Sequence, residues 1–164
     1  MSIQLILGYV KILVGFALLW GGFLVWNNIG CRRIEGVEME PALKKDKGVG
    51  ISPQIRRPDQ LQRDDFISYT TAQGGKSRVV AARVIGLPGD RVRIVEGEVY
   101  LNGSKIPSNY VPKGQNSKET LEEMIVPRDH VYVLCDGRSA AYNGGLDSRK
   151  LGPIGQWAVS GKFW

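Results

Sequence analysis

Two carboxylates, Glu38 and Glu40, stand two residues apart in Glu38-Met39-Glu40-Pro41-Ala42-Leu43. In an extended chain such positions face the same side, the spacing of a general acid and base. Peptide cleavage by carboxylates needs a paired acid or a metal, so the favoured reading is two solvated side chains. His130 is the single histidine and follows Pro127-Arg128-Asp129, a turn signal, with no nucleophile spaced to pair with it. Ser139 and Ser148 offer hydroxyls, but no base stands beside either in the sequence. Cys31 and Cys135 are far apart and read as free thiols, neither a disulfide framework nor a metal site. No cluster of metal ligands appears, and neither a metal nor any other cofactor is expected.

Short strands must position these groups. Asp64 to Tyr69 and Val79 to Ile85 read as two strands, with a turn over Ala72 to Ser77. Arg91-Val92-Arg93-Ile94-Val95 alternates with period two and meets Val99-Tyr100-Leu101 across Glu96-Gly97-Glu98, a hairpin signal. Leu101-Asn102-Gly103 is a second turn. Val131 to Leu134 and Trp157 to Trp164 complete the strands, with polar excursions expected over Lys44 to Arg63, as loop or edge, and Ile106 to Glu123. No second long helix is visible, and the fold class is mainly β: a folded-over sheet assembly.

The stretch Arg83-Val84-Ile85-Gly86-Leu87-Pro88-Gly89-Asp90 closely resembles a box of the type I signal peptidase family, Lys-Arg-hydrophobic-Ile-Gly-Leu-Pro-Gly-Asp. The segment from Glu38 to Leu43 resembles the family's Ser-Met-x-Pro-Thr-Leu. Asp64-Asp65-Phe66-Ile67-Ser68-Tyr69 resembles its Gly-Asp-hydrophobic-Val-x-Phe/Tyr box. Cys135-Asp136-Gly137-Arg138 and Asp147-Ser148-Arg149, followed by Gly152-Pro153-Ile154, resemble its last box, lengthened here around Tyr142-Asn143-Gly144-Gly145. The resemblance runs from Gly36 to Ile154.

The resemblance implies a serine nucleophile at position 38 and a lysine base at position 82. The residues present are Glu38 and Ala82. A serine–lysine hydrolase needs a hydroxyl and a desolvated neutral amine within reach of each other. Alanine does not titrate, and Arg83 stays protonated. Glu38 and Ala82 are therefore vestigial positions, and no catalytic residue is assigned. Met39, Pro41 and Arg83 become candidates for a peptide groove. Asp136, Asp147, Ser148 and Arg149 become the structural buttress that the family builds from an Asp–Arg pair and hydrogen bonds.

Ile3 to Trp26 is apolar apart from Gln4 and Lys11. These residues as a helix rise about 36 Å, enough to cross a hydrocarbon core of about 30 Å with some tilt. A retained single span over residues 1–30, followed by a signal peptidase-like β domain over 31–164, is the expected organisation. A cleaved signal peptide would need a basic start and a small-x-small site, and a lipoprotein signal ending before Cys31 would have Asn28 where Leu is usual. The net charge is +6. Its Lys and Arg residues are scattered among the strands without a recognition-helix pattern, so nucleic acid is not expected as a partner, whereas anionic lipid is attracted to such a domain. Arg32 and Arg33 after the span would by themselves hold this side in the cytoplasm. The resemblance instead places the domain on the trans, periplasmic side of a bacterial cytoplasmic membrane.

The expected function is that of a pseudopeptidase: a non-catalytic membrane protein acting as a structural subunit or assembly factor in a larger complex. Its partners would be integral membrane or exported proteins and the bilayer. The competing expectation is an active membrane-bound serine protease with rearranged catalytic residues, using Glu38 or a displaced serine.

Overall fold

The structure is a computed structural model. It describes residues 3–28, 30–53, 55, 57–73, 75–107, 111, 117–139 and 146–164. A helix α1 (Ile3–Asn28) leads into strands β1 (Gly30–Arg33), β2 (Gly48–Ser52), β3 (Phe66–Gln73), β4 (Lys76–Gly86), β5 (Arg91–Val95), β6 (Glu98–Leu101), β7 (Ser104–Lys105), β8 (Leu121–Ile125) and β9 (His130–Leu134). A four-residue helix α2 (Ser148–Leu151), β10 (Ile154–Gly155) and β11 (Val159–Phe163) follow. The fold is mainly β, as expected. Among the described residues the strands form a seven-stranded sheet, β1-β2-β11-β3-β4-β9-β10, and a four-stranded sheet, β7-β6-β5-β8.

Strand β9 explains how the two sheets join. His130-Val131-Tyr132-Val133-Leu134 is apolar on both faces, the pattern of a strand covered on both sides. Val131 and Val133 enter the main core with Ile67, Tyr69, Val80 and Ala82. Tyr132 and Leu134 enter a second core with Val92, Ile94 and Val99. Strand β5, by contrast, buries only Val92 and Ile94 and leaves Arg91 and Arg93 in solvent. Its hairpin to β6 turns through Glu96 and Gly97, both with positive φ (49° and 84°), the geometry that matches strand twist. Asn102 and Gly103 repeat it (51° and 85°) between β6 and β7.

Between the cores runs the Gly86 to Asp90 turn. A side chain at Gly86 would place its Cβ 2.9 Å from Val92 Cγ2 and 3.2 Å from Tyr132 Cβ, so the two sheets meet there only over a bare α-carbon. Asp90 closes the turn, accepting the Leu87 N–H, Asn102 Nδ2 and Arg63 Nη2, each at 2.8 Å. Burial pushes its carboxyl up, but these bonds outweigh burial and hold it below the usual carboxylate range.

Strands reach into three segments expected as loop or edge, turn, and surface excursion. The Lys44 to Arg63 stretch contains β2, which pairs with both β1 and β11 although it opens Gly48-Val49-Gly50. Glycine is required at position 50 because the Trp164 ring lies over it, 2.5 Å from any Cβ. The expected turn over Ala72 to Ser77 is narrower, since β3 runs to Gln73 and β4 begins at Lys76. The Ile106 to Glu123 excursion ends in β8, whose Leu121 and Met124 pack on the second core. Tyr142 to Gly145, the lengthened part of the last box, lies outside the described residues.

Helix α1 presents Tyr9, Ile12, Leu13, Phe16, Leu18, Leu19 and Trp20 as exposed apolar side chains. No helix among the described residues is long and apolar enough to cross a membrane.

Candidate functional site

Three segments converge on the position of Glu38. The turn from Val37 to Leu43 is closed by Glu40 N–H on the Val37 carbonyl (3.1 Å) and Leu43 N–H on the Met39 carbonyl (2.9 Å). It is tied to the end of β9: Gly137 N–H donates to the Glu38 carbonyl at 2.9 Å, and Asp136 N–H to Met39 Sδ at 3.4 Å. Cys135 Sγ in turn lies 3.9 Å from the Ala81 carbonyl of β4. The segments bearing positions 38 and 82 are thus both held against Cys135-Asp136-Gly137.

The side chains of β4 diverge. Ala81 lies across the ladder from Ser68, and Ala82 across from Ile67. Successive strand residues face opposite ways. Ala82 is fully buried and belongs to the main core with Met39. Ala81 instead lines a small cleft together with Glu38, Ser68, Val79, Phe163, Ile34 and the Arg32-Arg33-Glu35 rim.

Glu38 is 4% exposed, which corrects the expectation of a solvated carboxylate. Its carboxyl folds back over the α-carbon of Gly36, where any Cβ would collide with it. Burial pushes its pKa up, its own backbone N–H and Arg78 pull it down, Glu35 adds to the rise, and the balance is a raised value. Glu40 does not join it. Glu40 Oε1 accepts the Lys45 N–H at 3.2 Å, so the two carboxylates are not brought together as an acid–base pair. Ser68 is fully buried, and its Oγ has no hydrogen-bond partner among the described residues. The sequence reading missed Ser68. The signal available was a hydroxyl within Phe66-Ile67-Ser68-Tyr69, where every neighbour is apolar.

The remaining sequence-derived positions separate into groove and frame. Met39 is not a groove residue: it is fully buried, its unbranched side chain filling the main core. Pro41 is exposed. Arg83 is held by Asp136 through Nε–Oδ1 (2.8 Å) and Nη2–Oδ2 (2.7 Å), with its guanidinium 4.5 Å over the Phe66 ring. Asp147 accepts Arg149 Nη2 at 2.8 Å and the Cys135 N–H at 3.2 Å, and caps α2 through the Arg149 N–H. Ser148 Oγ accepts the Val133 N–H at 2.9 Å, so its hydroxyl is engaged in the frame. Arg149 also donates to the Arg138 carbonyl at 2.6 Å and to Glu119 at 3.2 Å. The buttress therefore has two halves, Arg83–Asp136 and Asp147–Arg149, joined through the Cys135-Asp136 peptide. Ser139 is half-buried at the edge of the described residues. His130 starts β9, its Nδ1 lying 2.8 Å from the Arg128 carbonyl and its ring edge-on to Trp157, with no nucleophile beside it among the described residues. Among the described residues no group of His, Cys, Asp and Glu is arranged to hold a metal.

The frame matches a known family. Residues 6–163 match the family described as signal peptidase, peptidase S26. The chain belongs to that family. It is 24% identical over 141 residues to signal peptidase I V of Bacillus subtilis (strain 168), covering 79% of this chain and 80% of that protein. It is 32% identical over 123 residues to signal peptidase I U of the same organism, covering 71% and 63%. A crystal structure of a signal peptidase I from Enterococcus faecalis V583 aligns with a TM-score of 0.49 at 26% identity, covering 62% of this chain and 95% of that one.

Proposed function

We propose that this chain is a non-catalytic member of the signal peptidase family, which holds an exported or membrane-anchored segment as a structural subunit or assembly factor. The observation that carries this reading is the pair of residues at the motif positions. Glu38 lines a small cleft with a buried carboxyl, and Ala82 is buried in the main core. Neither position 38 nor position 82 carries the hydroxyl nucleophile or the amine base that the motif implies. Ser148 is engaged in the frame, and His130 has no nucleophile to serve among the described residues. What remains is an arrangement of strands able to accept an extended peptide through backbone hydrogen bonds, a mode that needs no catalytic group.

In this reading α1 anchors the protein as a single span. The exposed apolar side chains between Tyr9 and Trp20 support that role. The β domain stands on the trans side of a bacterial cytoplasmic membrane. A methyl group added at Gly15, Gly21 or Gly22 would meet nothing within 4 Å, which leaves room for a neighbouring helix to approach.

The test is incubation of the full-length protein in mild detergent with a preprotein, beside an active signal peptidase. No cleavage is expected. Turnover that disappears in Glu38→Gln or Ser139→Ala would overturn the reading in favour of a protease with rearranged residues. Extraction from native membranes should bring partner proteins with it; a protein that elutes alone and monodisperse would refute the subunit role.

A further inference from the structure

One edge of the four-stranded sheet is open. Among the described residues β8 pairs with β5 on one side and with no strand on the other, so a row of its backbone N–H and C=O groups is left without a ladder. A groove of about 330 Å³ lies against it, lined by Leu121, Glu122, Glu123 and Met124 of β8 and by Arg149 and Gly152 at α2. Leu121 and Met124 pack on the second core, whereas Glu122 and Glu123 are exposed. A groove touches both pairs only by following the strand edge between the two faces. We propose that this edge receives an extended, basic segment of a partner protein as an added strand.

The apolar side chains supply the first argument. Ile125 is 64% exposed, and Leu121 and Met124 are only half-buried at the margin of the second core. Val92, Ile94 and Tyr132 of that core also line the groove. A groove of this volume lies at the lower end of the range for small ligands, about 300–1,000 Å³, and takes a few side chains and not a folded element. A strand laid beside β8 would complete the open row with its own backbone and set alternate side chains into the groove.

Charge names the segment. The chain carries a net charge of +6, yet this edge is acidic. Glu122 makes no ion pair among the described residues, and Glu123 reaches Arg91 only at 4.0 Å with both side chains about half exposed. Arg149 is 5% exposed and already held by Asp147 and Glu119, so it does not neutralise the rim. A lysine or arginine on the solvent face of an added strand meets these carboxylates, and an acidic segment is repelled. The same charges disfavour a second copy as the occupant. Antiparallel pairing of β8 with itself over its full length sets Glu123 against Glu123.

The edge lies apart from the cleft at position 38. Cleavage of a preprotein would refute the non-catalytic reading and leave this inference standing, so the two fail separately.

The test uses the full-length protein in an uncharged mild detergent and a fluorescein-labelled peptide, Thr-Val-Lys-Leu-Lys-Val-Thr, with binding read by anisotropy. Its lysines lie on one face of a strand and its valines and leucine on the other. The lysine peptide should bind at least about fivefold more tightly than the version with two glutamates. Alanine for the central leucine should weaken it about tenfold. Two analogues carry N-methyl groups on the odd or on the even residues, and one of them should lose binding because its methyls face β8. The variant Glu122→Lys with Glu123→Lys should reverse the charge preference, with circular dichroism reporting its folding; if it does not fold, the peptide series in the wild-type protein decides alone. Failure of every peptide to bind overturns the inference. So does equal binding of the lysine and glutamate peptides, full binding by both N-methylated analogues, or a lysine preference unchanged in the folded variant. Self-association of the protein that the variant abolishes would assign the edge to a second copy and overturn it too.

Discussion

Replacing Arg83 by methionine should be among the most damaging single changes in the domain, although position 83 carries no chemistry. Its guanidinium meets Asp136 in two parallel bonds of 2.7 and 2.8 Å, with the arginine side chain 11% exposed and the aspartate 0%. Arg83→Met leaves Asp136 as a charge with no water and no counter-ion, a loss of about 3–5 kcal/mol. Asp136→Asn should cost less, about 2 kcal/mol. Arg83 then keeps the Phe66 ring at 4.5 Å and the exposed Asp64 at 3.9 Å. The double variant Arg83→Met with Asp136→Leu removes both charges and should fall within about 1 kcal/mol of the parent, since a buried ion pair is often matched by apolar groups. Urea unfolding of the full-length protein in mild detergent, followed by far-ultraviolet circular dichroism, measures all three. With a slope of about 2 kcal/mol per molar, Arg83→Met should lower the midpoint by roughly 2 M. A loss below about 1 kcal/mol in that variant, or a double variant whose cost is the sum of the singles, would refute the reasoning.

Three further outcomes are expected. Because burial raises the folded-state pKa of Glu38, the folded protein binds this proton more tightly than the unfolded chain. Stability should therefore fall as pH rises from the ordinary carboxylate range through the raised value, and Glu38→Gln should flatten that decline in urea midpoints measured across pH; an unchanged slope counts against the buried position. Tyr69→Phe removes the hydroxyl that donates to the Leu146 carbonyl inside the core, and should cost about 1–2 kcal/mol in the same assay, with near-zero loss as the refuting result. Cys31 is exposed while Cys135 is buried, so a membrane-impermeant maleimide applied to intact spheroplasts should label Cys31 alone if the domain stands on the trans side. Labelling only after lysis would reverse the orientation.

The sequence made the frame legible because frame residues announce themselves by type. The positive-φ hairpins at Glu96-Gly97 and Asn102-Gly103 need residues that tolerate that backbone. Asp147 next to Arg149 forms a local pair. The alternation of β5 gives away its buried face. Strand β2 stayed hidden because its glycines suit a loop equally well, and the reason for Gly50 is a ring more than a hundred residues away in the chain, Trp164. Met39 was misplaced because a motif gives order along the chain but not direction of side chains. The burial of Glu38 was likewise invisible: an acidic residue in a polar segment reads as solvated until Gly36 is seen to bare its α-carbon beneath it. Ser68 needed the register, since only its place across from Ala81 puts it in the cleft.

Those last two residues differ physically from the rest of the family motifs in this chain. Asp90, Asp136, Asp147, Ser148 and Arg149 are each satisfied by partners within the fold. Stability alone accounts for them, because removing one partner from any of these networks strands the other. Their presence is therefore no argument for catalysis. Glu38 and Ser68 stand the other way. A buried carboxyl and a hydroxyl with no partner among the described residues both weigh against the folded state, and Val or Ala at either position would relieve that cost.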